Sequence, residues 1–352
     1  MIEKKIRKRN LRKFIEISIA SSLISLSPSV LAILSGAAVG TSGVISGSLI
    51  SLGTGFFTPL SFLLINEEMK ESRLVRSMNI LIRVIFEIAL LIFVTLAIFS
   101  LLSLIVTQDL ESILNSFFTA LFLAVSISTI FVTASTLQAF LGRNFLRHLV
   151  KGAYNKVRRE ERIVVFLDLR NSTAWGEQLA TDEFFSLLND FLRLVEQCCY
   201  YYDGEIYKYM GDGIIATWKS SEEAYQQAWN MINEFCNELS RRQGYFRERY
   251  GDVIGFSVGV HCGVVVTGGI GNEKRELGYW GDVLNTTQRI ESACKEQNTK
   301  VLFSEDFINT LAVTCPKEDI YSELMKIEGV QLRGKIQEMN LYGLRKECLE
   351  NA

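Results

Sequence analysis

Ile163-Val164-Val165-Phe166-Leu167-Asp168-Leu169-Arg170-Asn171-Ser172-Thr173 is an apolar run that ends in a carboxylate and then in turn-forming residues. A run rich in β-branched and aromatic side chains reads as a buried strand, which puts Asp168 at the strand's end. A second carboxylate stands 44 positions further on, in Gly211-Asp212-Gly213. It lies between Glu205-Ile206-Tyr207-Lys208-Tyr209-Met210 and Ile214-Ile215-Ala216-Thr217-Trp218, and glycine on both sides of an aspartate marks a tight hairpin turn. A strand end and a hairpin tip can bring the two acids together. Acids held close must bind a cation or take up a proton, because each raises the pKa of the other. Taken singly, aspartates in such places are most often only turn formers.

The surrounding pattern alternates between periods of two and of 3.6. After the strand ending at Asp168 the sequence predicts a helix over 181–200, the hairpin around Asp212, and a second helix over 221–242. A strand pair over 253–260 and 264–267 is expected to turn at Gly263. A helix over 283–294, a strand over 301–303 and a closing hairpin over 325–332 and 338–344 complete one α/β domain, residues 162–346.

The 352-residue chain has a net charge of −2, which hides an asymmetry. Residues 1–162 carry 18 Lys and Arg against 10 Asp and Glu, and the remainder carry 19 against 29. The basic half is apolar and divides into four stretches, 14–36, 44–65, 80–106 and 113–141, which are predicted to be four transmembrane helices within a membrane domain, residues 1–142. The third covers a hydrocarbon core of ~30 Å at ~1.5 Å per residue. The first two hold Pro28 and Pro59 among small residues, which pack closely in lipid. Basic residues flank the first span on its N-terminal side (Lys4 through Lys13), fill the loop after the second (Lys70, Arg73, Arg76) and follow the fourth (Arg143 onward), whereas the other two loops have none. By the positive-inside rule the N-terminus and the acidic half face the cytoplasm, as in a multi-pass protein of the cell (inner) membrane. The first apolar block is too long for a signal-peptide core and reads as an uncleaved anchor. The competing reading is a buried helical core of a soluble protein. Glu87, near the predicted cytoplasmic end of the third span, fits a structural role better than ion translocation.

Residues 143–161 form a linker in which Leu146, Leu149, Val150, Tyr154 and Val157 recur at helical spacing. A basic helix on anionic headgroups and a parallel dimeric connector are both compatible with it. All seven cysteines lie in the acidic half, without a C-x-x-C pair, which suits reduced thiols in a cytosolic setting. An acidic half without a basic aromatic face excludes nucleic acid as a partner.

Four features of that half belong together. Asp168 precedes a turn able to hold phosphate while the carboxylate holds a cation. Lys208 stands four residues before Asp212. Asn285 and Arg289, in Asn285-Thr286-Thr287-Gln288-Arg289, share one helix face. Arg333-Gly334-Lys335 supplies a late basic turn. Each alone has a bland explanation as a turn or a solvated face, but their joint occurrence in this order does not.

Through FLDLRNST, GEIYKYMGDGIIATW, SVGVHCGVVVTGGIG and YWGDVLNTTQRIES, residues from about 162 to 344 resemble the catalytic domain of the class III nucleotidyl cyclases, the adenylate and guanylate cyclases. Four spans ahead of such a domain resemble the membrane-anchored bacterial members. The resemblance implies a ferredoxin-like α+β core that works as a head-to-tail homodimer with two interfacial sites. It further implies that Asp168, Asp212 and the Leu169 carbonyl bind two Mg²⁺ or Mn²⁺ ions per site. From the other subunit Asn285 would orient the ribose, Arg289 would stabilise charge on the α-phosphate, and Lys335 would meet the terminal phosphates.

The resemblance also makes Lys208 and Gly278 the base-reading positions. Lysine at the first is typical of adenylate cyclases. At the second, Asp or Thr is common, and glycine offers no side chain, so Tyr279 or a backbone carbonyl would have to substitute. ATP is the expected substrate, with GTP or a pyrimidine triphosphate as alternatives. The main rival function is a non-catalytic membrane signalling protein that binds nucleotide or merely dimerises. The presence of Asp168, Asp212, Asn285 and Arg289 together argues against it.

Overall fold

A computed structural model describes residues 2–25, 80–106, 157–271, 276–315 and 320–345, with isolated positions between 49 and 136. The chain divides into two compact units, one made of Met1–Ile6 and Arg143–Ala352, the other of Arg7–Gly142.

In the second unit, α2 (Ile80–Val106) has the bounds expected of the third span. Its stretch Ile82–Ser103, of mean hydropathy 2.7, is the one helix among the described residues long and apolar enough to cross a membrane. The four-helix arrangement read from hydropathy is therefore not reproduced: 26–36 and, apart from isolated positions, 44–65 and 113–141 lie outside the described residues. Arg83 Nε pairs with Glu87 Oε1 at 2.8 Å, one turn apart, so the span's acid is neutralised within its own helix. The helix α1 (Ile2–Ser25) begins well before the expected first span. Its basic residues are good helix formers and extend the helix instead of merely preceding it.

The first unit is built on a mixed sheet: β1 (Arg158–Leu169), β2 (Glu205–Met210), β3 (Gly213–Lys219), β4 (Phe256–Ile270), β5 (Glu276–Trp280), β6 (Val301–Ser304), β7 (Leu324–Val330) and β8 (Met339–Leu344). The strand order is 2-3-1-4-6-8-7, and β5 pairs with β4 off this path. Only the β4–β6 pairing is parallel. The helices are α3 (Ser172–Gln178), α4 (Thr181–Tyr201), α5 (Glu222–Tyr250), α6 (Asp282–Glu296) and α7 (Glu305–Thr314).

The period of two in β1 divides the domain into two layers. Ile163, Val165 and Leu167 point into the larger core with Leu187 and Phe191 of α4, Phe235 of α5 and Phe307 of α7. Val164 and Phe166 point to the opposite face, where they meet Val265 and Val283 beneath α6. By the same alternation Arg162, near the middle of β1, and Asp168, at its end, belong to the α6 face.

Four expectations need correction. The predicted strand pair around Gly263 is a single strand, β4. A Cβ at Gly263 would lie 2.8 Å from Val283 Cγ2, so this glycine makes room for α6 and does not turn the chain. The strand β5 has no counterpart in the sequence reading. Residues 158–161, assigned to the helical linker, are strand, because the long β4 continues to pair with β1 out to Arg158↔Thr267. The helix α7 was passed over, although Ser304 caps it through the Phe307 N–H.

Gly259 is where the close approach of α6 is tightest. A Cβ there would stand 2.4 Å from the Glu291 backbone nitrogen and 2.5 Å from the Thr287 carbonyl oxygen, neither of which can swing away. Gly259→Ala is expected to destabilise the domain by about 2–3 kcal/mol through overpacking. Gly244→Ala, in α5 with nothing within 4 Å, should stabilise it by ~0.5–1 kcal/mol through helix propensity. Thermal unfolding of the two variants checks the contrast, and a Gly259→Ala chain that melts at or above wild type contradicts the packing argument.

Candidate active site

Asp168 closes β1 opposite Gly213 of β3, which places it beside the hairpin tip at Asp212. The two glycines of that tip have different tasks. Gly211 has φ +68°, the left-handed conformation of a tight turn. A Cβ at Gly213 would come within 2.7 Å of Asp168 Oδ1, so only glycine leaves the carboxylate its place. A third acid, Glu291 of α6, closes the group and was missed in the sequence because nothing local marks it. It is buried and accepts a hydrogen bond of 2.5 Å from Ser257 Oγ.

Burial pushes the Asp168 carboxyl up to about 7, and the charges of Asp212 and then Glu291 add to the effect, while a hydrogen bond from the Leu169 backbone opposes it. Glu291 is likewise raised, mainly by burial, with its serine hydrogen bonds and Arg170 opposing. Burial and mutual repulsion thus disfavour the charged forms of Asp168 and Glu291, a cost that a bound cation would offset. The donors here are hard oxygens, which suit Mg²⁺ or Mn²⁺. Among the described residues, no group of three or more His, Cys, Asp or Glu side chains is arranged to hold an ion alone. Two carboxylates and a carbonyl fit ions whose remaining ligands come from substrate phosphates and water, the usual arrangement for Mg²⁺. The phosphate-holding turn proposed after Asp168 is partly committed already, since the Arg170 N–H donates to the Gly255 carbonyl at 3.0 Å.

The other expected residues gather on the far side of α6. Asn285 and Arg289 lie ~40° apart around the helix, and Glu291 lies ~200° from Arg289. Glu291 therefore faces the sheet with Val283, Thr287 and Ile290, while Asn285 is exposed and Arg289 is partly so. Arg289 Nη1 reaches the Gly334 carbonyl at 3.4 Å. Lys335 Nζ pairs with Asp282 Oδ2 at 2.5 Å, and this hydrogen bond is the main reason the Asp282 carboxyl lies below its ordinary range. One protomer thus brings together Asp168, Asp212 and Glu291 on one side of α6, and Asn285, Arg289, Asp282 and Lys335 on the other. It does not bring the two sets to one another.

Lys208 is exposed on β2, and Gly278 is buried on β5 opposite Gly268. A Cβ at Gly278 would stand 2.3 Å from Trp280 Cη2 and 2.4 Å from Ile270 Cδ1, so an indole and an isoleucine cover the place where a base-reading side chain would emerge. Tyr279, the side chain named as a substitute, is engaged elsewhere in this protomer. Its ring is buried and stacked on Tyr207, and its hydroxyl donates to Glu205 Oε2 at 3.5 Å.

Residues 155–346 match the family described as the adenylate and guanylate cyclase catalytic domain. The chain is 29% identical over 213 residues to adenylate cyclase 2 of Rhizobium meliloti (strain 1021), covering 60% of this chain and 58% of that protein. It is 27% identical over 191 residues to an adenylate cyclase of Anabaena cylindrica, covering 52% of this chain and 36% of the relative. It therefore spans less than two thirds of the length of either relative. The fold is similar to that of a bacterial light-regulated adenylyl cyclase, with a TM-score of 0.52 at 17% identity over 62% of each chain.

Proposed function

The chain belongs to the adenylate and guanylate cyclase family, the class III nucleotidyl cyclases, and from that premise we propose that it is a membrane-bound cyclase converting ATP to 3′,5′-cyclic AMP and pyrophosphate at a homodimer interface. The observation that carries the proposal is the division of the site by α6. Carboxylates suited to metal and the Asn285–Arg289 pair lie on opposite sides of one helix, so a complete site needs the second set from another copy.

In the reaction the ribose 3′-oxygen attacks the α-phosphorus, the bond from the α-phosphorus to the oxygen bridging to the β-phosphate breaks, and the 3′-hydroxyl proton passes to water. Asp168, Asp212 and the Leu169 carbonyl would hold two Mg²⁺ or Mn²⁺ ions, which when bound would supply activation of the 3′-hydroxyl and neutralisation of the leaving pyrophosphate. Asn285 accepts and donates to the ribose and holds its 3′-oxygen in line. The Arg289 guanidinium compensates charge that builds on the α-phosphate, an interaction stronger in the transition state than in the ground state. Lys335 exchanges Asp282 for the terminal phosphates, which deliver more negative charge than one carboxylate. Lys208 faces the base and favours adenine.

The membrane assignment is supported by α2 and by the basic N-terminus. Lys5 Nζ pairs with Glu234 Oε2 at 2.7 Å within the catalytic unit, which is in keeping with both on the cytoplasmic side. The additional spans at 14–36, 44–65 and 113–141 rest on hydropathy and make the proposed protein multi-pass.

Membranes containing the full chain, assayed with ATP, GTP, CTP and UTP under Mn²⁺ and under Mg²⁺, test the reading. Cyclic AMP should form fastest. Faster turnover of GTP or UTP would sink the base assignment alone, and no cyclic nucleotide from any substrate would sink the catalytic one.

A further inference from the structure

The strands that present Lys208 and Gly278 are not neighbours in the sheet, because β2 is an edge strand and β5 pairs only with β4. What joins them is a side-chain cluster built around the buried Arg162 and Tyr279. Tyr207 of β2 and Tyr279 of β5 stack with ring centroids 4.5 Å apart and planes at 17°. The Tyr279 backbone N–H also donates to the Tyr207 hydroxyl oxygen at 3.1 Å. Tyr207 reaches across because it is the extra residue of a β-bulge: Ile206 pairs with Ala216 and Lys208 with Ile215, leaving Tyr207 unopposed. A bulge of this kind re-aims a side chain.

Beneath the stack lies Arg162, only 3% exposed. Its guanidinium carbon stands 4.6 Å from the Tyr279 ring centroid. Its nitrogens donate to Glu205 Oε2 at 2.8 Å, to Thr217 Oγ1 at 3.0 Å and to Glu160 Oε1 at 2.8 Å. Arg162 therefore ties β1, β2, β3 and β5 into one assembly, and Glu205 closes the ring through the Tyr279 hydroxyl. A buried guanidinium is costly to desolvate unless paired in this way, and removing one of its partners leaves a poorly compensated charge.

We propose that Tyr207, Tyr279 and Arg162 are positioning residues for base recognition: the stack and the ion pair beneath it set the spacing between Lys208 and the strand at Gly278, and through that spacing the preference among purine bases. The proposal rests on the reading of Lys208 and Gly278 as base-facing. With no side chain at Gly278, selectivity depends on where Lys208 stands relative to the β5 backbone, and the cluster sets that distance.

The test is isothermal titration of the full chain in detergent micelles with Mn²⁺, using 3′-deoxy-ATP and 3′-deoxy-GTP, which cannot cyclise, and tripolyphosphate, which lacks a base. Tyr207→Leu and Arg162→Met should each weaken 3′-deoxy-ATP about tenfold and bring its affinity close to that of 3′-deoxy-GTP, with tripolyphosphate unchanged. Tyr207→Phe keeps the stack, Arg162→Lys keeps the charge, and both should retain most of the preference. Tyr207→Leu leaves the Arg162–Glu205 pair intact and decides the matter if Arg162→Met does not fold. A merely structural role would lower tripolyphosphate and nucleotide together, and that result overturns the proposal, as does no change in either. Lys208→Ala separates the two claims. If it leaves the ATP-to-GTP ratio unmoved, the base-facing reading fails and this proposal with it. If it shifts the ratio while Tyr207→Leu does not, only the positioning role fails.

Discussion

Co-expressed Asp168→Ala and Arg289→Ala chains should regain about a quarter of wild-type cyclase activity, although neither substitution alone leaves more than a trace. The arithmetic follows from symmetry: random pairing makes half of the dimers mixed, and each mixed dimer holds one site with both substitutions and one with neither. Arg289→Ala alone should lower turnover by roughly 10²–10³-fold, the scale of losing one preorganised charge-stabilising donor. Asp168→Ala should cost at least as much, because it removes a carboxylate from the metal half. The recovery depends on α6 directing Asn285 and Arg289 away from the sheet while Glu291 faces the carboxylates. Differentially tagged chains purified in tandem would establish that mixed dimers form. Mixed dimers without activity would mean that each protomer completes its own site, against the geometry of the helix.

Asp168→Asn should abolish activity yet stabilise the metal-free protein above neutral pH. The wild-type carboxyl is pushed up to about 7 from an ordinary 3.8. A carboxyl raised on folding contributes stability that is complete below its unfolded pKa and is lost as pH rises through its folded one. The disadvantage of the charged form is therefore absent near pH 3, grows between about 4 and 7, and is constant above that. Asparagine has no charge to bury, so the variant should exceed wild type at pH 8 by about 1–2 kcal/mol, after allowance for solvent screening of a partly exposed group. The difference should vanish toward pH 4. Mn²⁺ should raise the wild-type melting temperature at pH 8 and leave that of the variant nearly unmoved. Melts of both chains at the two pH values, with EDTA or Mn²⁺, provide the measurement. A variant less stable than wild type at pH 8 in EDTA would overturn the buried-charge argument, and an equal Mn²⁺ shift in both would remove Asp168 from the metal site.

The convergence of Asp168 and Asp212 was legible because both sit at positions that local chemistry marks, a strand end and a Gly-Asp-Gly turn. Asn285 and Arg289 were legible as a pair because helical spacing alone puts them on one face. Glu291 was not, since a glutamate two residues past Arg289 looks like any solvated side chain until β4 is packed beneath it. Gly263 misled for a related reason. Glycine relieves a close approach as readily as it permits a turn, and the side chain it avoids, Val283, belongs to a helix that comes later in the chain.

Arg162 shows the boundary most clearly. In sequence it is one more basic residue at the end of a basic linker. In the fold it is nearly buried and holds residues from three other strands.

The amino-acid order by itself determined the family, the apolar character of 80–106, the alternation that gives β1 two faces, and the residue types on which the proposed cyclisation rests. Those are properties of local pattern, which repeats within a few residues and needs no partner to be read. Tertiary structure alone decided that α6 separates the carboxylates from Asn285 and Arg289, that Lys335 rests on Asp282, and that Trp280 and Ile270 cover Gly278. It also decided that Tyr207 meets Tyr279 across an unpaired gap. Each of these joins residues brought together by strand pairing and helix packing, and the energy that holds them arises only when distant segments exclude water together.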